Sequence, residues 1–189
     1  DGSQLGEFKK IGISNVVGID PAKNQAELAA LKGIHVINDF WPQAAGSLDE
    51  KFDVIVCQNV LGHVLSPKLF MEGVMQVLKD DGVVLIQPSQ ARMLPTGQFD
   101  AIYHEHVSFF NTSSMSQLLN RVGLELVDAV FTKVHGDSVL YFAQKKNAVK
   151  RNFSAFKSGE FYIAESVFDY ENQSKIFERV TYEVFRKRA

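Results

Sequence analysis

Two uninterrupted apolar runs constrain the fold of this chain more than any other feature. They are FDVIVCQNV at 52–60 and GVVLIQPS at 82–89, and between them PKLFMEGVMQVLKDDG, at 67–82, has apolar residues at helical spacing. A strand that is apolar on both faces is typical of a sheet covered on both sides. Such strands separated by a helix favour a parallel sheet with right-handed crossovers. The pattern therefore predicts an α/β fold.

The segments before these runs continue the alternation of strand and helix. NVVGID at 15–20 and IHVIND at 34–39 have the composition of short strands. Between them, PAKNQAELAALKG at 21–33 has proline at a helix start and glycine at a helix end. These segments predict a further strand, helix and strand of the same sheet.

The segments after the runs predict a different ending. A helix is expected over 113–123, with Ser or Thr available as its cap. Two strand-like segments, 124–131 and 138–146, follow with no helical pattern between them. Because consecutive strands without a crossover helix pair antiparallel, these two predict a terminal hairpin on a mainly parallel sheet.

Composition limits the remaining possibilities. The net charge of −2 gives no electrostatic argument for nucleic acid or for an anionic membrane surface, and no apolar run has the length of a membrane span. The single cysteine, Cys57, lies in an apolar run, which predicts a buried thiol without a redox role and excludes an intrachain disulfide. A cytoplasmic location fits these observations. The charged and aromatic segment 147–189 predicts helices packed on a main domain at 1–146.

Polar side chains follow three of the predicted strands. Asp20 ends the first strand, Asp39 follows the second, and Asn59 lies near the end of the DVIVCQ strand. Ligands of open α/β sheets bind beyond the carboxyl ends of the strands, where a carboxylate can accept hydrogen bonds from a ribose diol. Asp39 has the chemistry to accept one from an adenine amino group. For Asp20, which precedes a proline, a role as a helix cap is an equal alternative.

The stretch FDAIYHEHVSFF, at 99–110, places titratable groups in an apolar, aromatic run. In an extended conformation Tyr103 and Glu105 would point to one face, and His104 and His106 to the other. From spacing alone, a hydrogen-bonded pair of core histidines and a shared metal both remain open. No third ligand is evident nearby, so we expect no metal site in this chain.

Four stretches together resemble the sugar C-methyltransferases, which methylate nucleotide-linked keto-deoxysugars with S-adenosylmethionine as the methyl donor. GIDPAKNQAELAALKGIHVINDFW, FDVIVCQNVLGHV, FDAIYHEHVSFF and VHGDSVL occur in the family's order, over roughly residues 1–145. The resemblance implies a class I methyltransferase fold, S-adenosyl-L-methionine as cofactor and a sugar-like small molecule as substrate.

The resemblance also assigns roles to residues. It implies a cofactor site formed by Asp1, Gly2, Asp20, Pro21, Asp39, Phe40, Asn59 and Val60. It implies that His135 contacts the substrate, that His106 is the catalytic base and that Glu105 and Tyr103 support it, with His104 as a weaker candidate. Methylating a carbon next to a ketone needs a base to remove its proton and a donor to stabilise the enolate oxygen. Histidine and tyrosine side chains suit these two roles.

The chain departs from the family's pattern in several ways. The family's glycine-rich motif ends in an Asp-Gly pair, so we expect the strand before Asp1-Gly2 to be absent from this chain, along with the family's zinc domain and C-terminal Rossmann-like domain. Gln87 stands where the family usually has an acidic residue, and HGDSVL at 135–140 replaces its His-Gly-Gly-Ser-Leu-Arg. Two alternatives therefore stay open: an oxygen or nitrogen acceptor, and a catalytically silent binding or assembly module.

Overall fold

The protein is described from a computed structural model that covers residues 1–89, 102–132 and 138–148. These residues form four helices and six strands, with short 3₁₀ turns at Gln43–Ser47 and Leu61–His63. In chain order the elements are α1 (Ser3–Lys10), β1 (Gly18–Ile19), α2 (Lys23–Leu31), β2 (Val36–Ile37), β3 (Phe52–Gln58), α3 (Pro67–Val77), β4 (Leu78–Gln87), α4 (Thr112–Arg121), β5 (Leu124–Thr132) and β6 (Ser138–Lys145).

Four strands form the main sheet, in the order β3-β4-β6-β5. The two apolar runs pair parallel, with Gln58 opposite Gln87 at their carboxyl ends. The last two strands pair antiparallel with one another, and β6 also pairs antiparallel with β4. The predicted α/β class and terminal hairpin are both confirmed.

A second, two-stranded sheet lies apart from the main one. It consists of β1 and β2, paired parallel, and each strand has only two residues where the sequence pattern predicts six. A cleft of about 940 Å³ has both β1 and β3 among its lining elements, together with residues of α1 and α3. Within the described residues β3 pairs with β4 alone, and Val54 of β3 is 54% exposed. The prediction that β3 is covered on both faces is therefore wrong for this position.

The helix predicted over 67–82 is shorter than expected. Ser66 Oγ accepts a hydrogen bond from Leu69 N, Pro67 is the first helical residue, and α3 ends at Val77. From Leu78 the chain is extended, because Leu78 is fully buried and pairs with Phe52 at the start of β3. The cost of leaving that position unpaired outweighs the helical tendency of the sequence.

The start of α4 shows reciprocal capping. The side chain of Asn111 accepts a hydrogen bond from Ser114 N at 2.8 Å, and Ser114 Oγ accepts one from Asn111 N at 3.0 Å. The helix predicted over 113–123 is confirmed within two residues of each end, but its cap is Asn111 and not Ser or Thr. Asn111 prevails because its side chain reaches the orphan amide of the first turn.

One core joins the helices to the main sheet. Met71 and Val74 of α3, Met115 and Leu119 of α4 and Tyr141 of β6 are all fully buried. The helices predicted over 147–189 fall on residues of which all but 147 and 148 lie outside the described residues. Among the described helices, none has the length and apolarity needed to cross a bilayer.

Two helical glycines differ in the space around them, which makes a matched test of packing. A Cβ added at Gly73 of α3 would lie 2.8 Å from Pro42 Cβ and 3.2 Å from the Trp41 ring, whereas one added at Gly6 of α1 meets nothing within 4 Å. The Trp41 ring is held by a hydrogen bond from Nε1 to Phe70 O at 2.9 Å, so it cannot retreat freely.

We expect Gly6→Ala to raise the free energy of unfolding by up to about 1 kcal/mol through helix propensity. Gly73→Ala should lower it, because overpacking costs about 1–3 kcal/mol and exceeds the same gain. Urea denaturation of the two variants measures both changes. Equal stabilisation by the two alanines would contradict the packing described here.

Candidate active site

Residues 103–106 form a tight turn. His106 N donates a hydrogen bond to Tyr103 O at 3.0 Å, which closes the turn. The expected extended conformation is therefore wrong, and Tyr103 and His106 lie on the same side of the chain. Tyr103 Oη is 3.2 Å from His106 Nε2, and the centroids of the two rings are 4.3 Å apart. A hydroxyl and an imidazole thus meet at hydrogen-bonding distance.

A third titratable side chain, His63, joins this pair. Its ring centroid is 4.6 Å from that of His106, and its Nδ1 lies 3.0 Å from the backbone oxygen of Glu105. Because a carbonyl oxygen only accepts hydrogen bonds, Nδ1 of His63 is the donor in this contact. We call Tyr103, His106 and His63 the tyrosine–histidine cluster.

His63 is not among the site residues predicted from the sequence. It follows β3 by five residues, within the stretch FDVIVCQNVLGHV that carries the resemblance. The rule that ligands bind beyond the carboxyl ends of strands would have identified it as a candidate. Its proximity to His106, 43 positions along the chain, needs the tertiary structure.

Gly62 attaches the turn to the end of β3. Its carbonyl oxygen accepts hydrogen bonds from Val107 N at 2.9 Å and Ser108 N at 3.1 Å. A Cβ at this position would lie 2.3 Å from Ser89 Oγ and 3.2 Å from Ser108 O. Phe110 N also donates to Ser89 O at 2.9 Å. Close backbone approach therefore holds the tyrosine–histidine cluster in place.

Glu105 and His104 occupy the tip of the turn. Their side chains are 61% and 90% exposed, and His104 Nε2 is 3.9 Å from Glu105 Oε1. The contact of Glu105 with the cluster is made by its backbone oxygen, which faces His63. The turn directs the Glu105 carboxylate towards His104. These contacts therefore do not include the one expected between the Glu105 carboxylate and His106.

The start of α1 packs closely against α2. Gly2 has φ +71°, and an added Cβ would lie 2.9 Å from Ala29 Cβ, so glycine is needed here. Asp1 Oδ1 accepts a hydrogen bond from Ser3 N at 3.0 Å, and Asp1 Oδ2 is 3.1 Å from Lys32 Nζ. Both Asp1 and Gly2 line the cleft.

Asp20 is not the N-cap of α2, which is Ala22, and instead accepts hydrogen bonds through both its side chain and its backbone. Its Oδ1 accepts a hydrogen bond from Ala22 N at 2.8 Å, which holds the turn into α2. Its backbone oxygen accepts one from Asn38 Nδ2 at 3.0 Å, which ties the ends of β1 and β2 together. Asp20 also lines the cleft, followed by the exposed Pro21, and its Oδ2 accepts no hydrogen bond from the described residues.

The other candidate cofactor residues lie on exposed loops beyond the strands. Asp39 Oδ1 accepts a hydrogen bond from Phe40 N at 2.7 Å, and the Phe40 ring is 64% exposed. Asn59 has φ +53° and donates its N–H to Gln87 O at 2.8 Å. Val60 lines the cleft, and its backbone oxygen accepts a hydrogen bond from His63 N at 2.9 Å. Val60 therefore connects the cleft to the tyrosine–histidine cluster.

Three further expectations from the sequence concern His135, Cys57 and a metal site. His135 lies outside the described residues. Cys57 is buried as expected, and burial raises its pKa to about 12. Within the described ranges no three histidine, cysteine or acidic side chains are grouped as metal ligands, and the absence of a metal site stays a prediction.

Known relatives match a large part of the chain. Residues 1–129 match a family described as a methyltransferase domain. A C-methyltransferase, NovU, of Streptomyces niveus is 31% identical over 147 residues, which are 75% of this chain and 35% of that protein. A ubiquinone biosynthesis O-methyltransferase of Bartonella quintana is 26% identical over 136 residues, 61% of this chain and 53% of that protein. The chain thus spans about half, or less, of these relatives.

Solved structures share the fold at low identity. Magnesium protoporphyrin IX methyltransferase from Synechocystis PCC 6803, with bound S-adenosylhomocysteine, superposes with a TM-score of 0.55 at 12% identity, over 69% of this chain and 64% of that one. A Burkholderia thailandensis 1,6-didemethyltoxoflavin N1-methyltransferase gives 0.57 at 16% identity, over 76% and 66%. With its α/β sheet and its match over residues 1–129, the chain belongs to the methyltransferase domain family, whose cofactor is S-adenosyl-L-methionine.

Proposed function

We propose that the protein transfers the methyl group of S-adenosyl-L-methionine to a carbon next to the ketone of a nucleotide-linked keto-deoxysugar. The observation that carries the proposal is the 3.2 Å approach of Tyr103 Oη to His106 Nε2. A hydroxyl and an imidazole at that distance offer a hydrogen-bond donor and a proton acceptor to one substrate. The 31% identity to a protein named as a C-methyltransferase supports carbon as the acceptor atom.

In this mechanism His106 Nε2 removes the proton from the carbon next to the ketone. The electrons of the broken C–H bond move to the carbonyl oxygen, and the Tyr103 hydroxyl turns from His106 to donate a hydrogen bond to it. The bound cofactor supplies an electrophilic methyl group on a positively charged sulfur. The new carbon–carbon bond forms as the sulfur–methyl bond breaks, and the sulfur keeps that electron pair.

His63 is the positioning residue of this proposal. Its hydrogen bond to the backbone oxygen of Glu105 holds the turn, and its ring packs on that of His106. A base is effective only when it is held at the right distance and angle from the carbon it deprotonates. His63 acts through His106 and does not itself need to touch the reacting carbon.

The residues beyond the strands supply suitable groups for the cofactor. Asp20 has one carboxylate oxygen in the turn to Ala22 and a second for a ribose hydroxyl. The Asp39 carboxylate has the chemistry to accept from an adenine amino group, and the exposed Phe40 ring beside it has an apolar face for the base. Asp1, Gly2, Pro21, Asn59 and Val60 complete the proposed site. The carboxylates of Asp20 and Asp39 offer acceptors for the hydroxyl and amino donors of a nucleoside.

An additional strand is part of the proposal. We propose that the cleft between β1 and β3 receives a strand of the intact protein, because each sheet has an edge among the cleft's lining elements and most of the lining side chains are apolar. Such a strand would pair with both edges and join the two sheets into one. The helices expected over 147–189 and a cytoplasmic location likewise remain predictions.

Methylation of oxygen is the second candidate function. The relative from Bartonella quintana, named as an O-methyltransferase, favours it. An oxygen acceptor needs a base for a hydroxyl proton, and His106 offers the same chemistry in that case. Solvent exchange at carbon separates the two candidates, because only the carbon route requires removal of a C–H proton.

Substitutions of Asp20 test whether this residue binds the cofactor or only holds the turn into α2. Asp20→Ala should weaken binding of S-adenosylhomocysteine by about 1–3 kcal/mol, the usual cost of losing a partner to buried polar groups. Asp20→Asn keeps an oxygen for Ala22 N but loses the charge, so we expect it to weaken binding too. Calorimetry measures both, with Asp80→Ala, an exposed carboxylate paired with Lys145, as control. Unchanged affinity in Asp20→Asn would leave Asp20 with only its role in the turn into α2.

The role of His106 is tested against its neighbour in the turn. We expect His106→Gln to reduce turnover by about 10²–10⁴-fold with little change in cofactor affinity. Exchange of solvent deuterium into the carbon next to the ketone should slow in the same variant. His104→Gln, at a side chain 90% exposed, is the matched control and should leave both rates near those of the unaltered protein. Normal exchange in His106→Gln would remove His106 as the base.

The role of Gly62 is tested with a second glycine pair. A Cβ at Gly62 would meet Ser89 Oγ at 2.3 Å, whereas one at Gly46 meets nothing within 4 Å. Gly62→Ala should lower turnover by about tenfold or more, because misplacing the cluster by even an ångström is costly. Gly46→Ala should not. Steady-state rates of the two variants are compared at the same interval below each variant's melting temperature. Equal rates would contradict the role described for Gly62.

A further inference from the structure

Three glutamines form a hydrogen-bonded chain at the edge of the main sheet. Gln58 and Gln87 are register partners at the carboxyl ends of β3 and β4. Gln58 Nε2 donates to Gln87 Oε1 at 2.9 Å, and Gln58 Oε1 accepts a hydrogen bond from Gln4 Nε2. We call these three residues the glutamine chain.

The glutamine chain connects three elements that are far apart in the sequence: α1, β3 and β4. Gln4 lies in the first turn of α1, two residues after Gly2. Gln87 is 4% exposed, and its backbone oxygen accepts the N–H of Asn59, the residue after Gln58. Gln4 and Gln58 both line the cleft. The glutamine chain therefore links the start of α1 to the carboxyl ends of β3 and β4.

The middle member must both donate and accept. A side-chain amide can do so, whereas a methionine of similar length can do neither. The hydrogen bond between Gln58 and Gln87 is partly buried and therefore costly to leave unmade, and the exposed hydrogen bond from Gln4 to Gln58 extends this link to α1. The turn that carries Asp1 and Gly2 is consequently held against the strand ends.

We infer that the glutamine chain is a positioning device for the cofactor site, which fixes the first turn of α1 relative to the carboxyl ends of β3 and β4. This inference rests on the proposed function, because it places the cofactor at those strand ends. It assigns no contact with the cofactor to the three glutamines. Their effect on binding passes through Asp1, Gly2 and Asn59.

The test measures the dissociation constant of S-adenosylhomocysteine by calorimetry in the intact protein, together with the melting temperature of each variant. Gln4→Met, at an exposed position with little risk to folding, and Gln58→Met should each raise the dissociation constant about 3- to 30-fold, the range for one or two lost hydrogen bonds. The double variant should lose less binding free energy than the sum of the two single losses, because both substitutions break the same glutamine chain.

Four further variants separate positioning from general stability. Gln117→Met, at an exposed site on α4, should leave affinity unchanged. Gln144→Met changes a fully buried site on β6, away from the carboxyl ends of β3 and β4. It should lower the melting temperature without changing the dissociation constant. Gln87→Met should weaken binding, whereas Gln87→Glu should retain it, because a carboxyl oxygen still accepts from Gln58 Nε2.

The outcomes are distinguishable. An unaltered protein that fails to bind S-adenosylhomocysteine overturns the cofactor site and the inference with it. An unaltered protein that binds, with Gln4→Met and Gln58→Met binding equally well, overturns the inference alone. Variants that lose melting temperature but keep their affinity show that the glutamine chain is structural only, which also contradicts it.

Discussion

The parallel register of β3 against β4 is the constraint on which the rest of the structure depends. It sets Gln58 opposite Gln87, so the two strands end at the same level. The loop after β3 leads to Gly62 and His63, and the chain after β4 leads through Ser89, whose carbonyl oxygen accepts a hydrogen bond from Phe110. A shift by one residue would exchange the buried and exposed faces of the strand and separate these loops.

That shared edge explains how distant parts of the sequence form one site. Gly62 accepts two backbone hydrogen bonds from the segment after the turn at 103–106, and His63 accordingly packs on His106. On the other side, the first turn of α1 reaches Gln58 through Gln4. The tyrosine–histidine cluster and the proposed cofactor residues are thus held by backbone contacts and side-chain hydrogen bonds at the sheet edge. Apolar burial lies behind them, in the core under α3 and α4.

Much of the fold was predictable because apolar periodicity reports burial directly. The runs at 52–60 and 82–89 and the terminal hairpin were identified from pattern alone, and the acidic residues after the strands followed from the chain topology. Local competition was not predictable. α3 ends at Val77 because Leu78 pairs with Phe52, and residues 103–106 turn because His106 N bonds to Tyr103 O. The end of α3 depends on a tertiary partner, as does the contact of His63 with His106. The turn at 103–106 depends on a local hydrogen bond that an alternating pattern does not report, so the side chains there were misplaced.

The acceptor atom is the central claim, and the product decides it. The intact protein would be incubated with S-adenosyl-L-methionine carrying carbon-13 in its methyl group and with a nucleotide-linked keto-deoxysugar, and the product examined by NMR. The account predicts a labelled methyl group coupled to a sugar carbon next to the ketone. A labelled methyl group bonded to oxygen or nitrogen would contradict it.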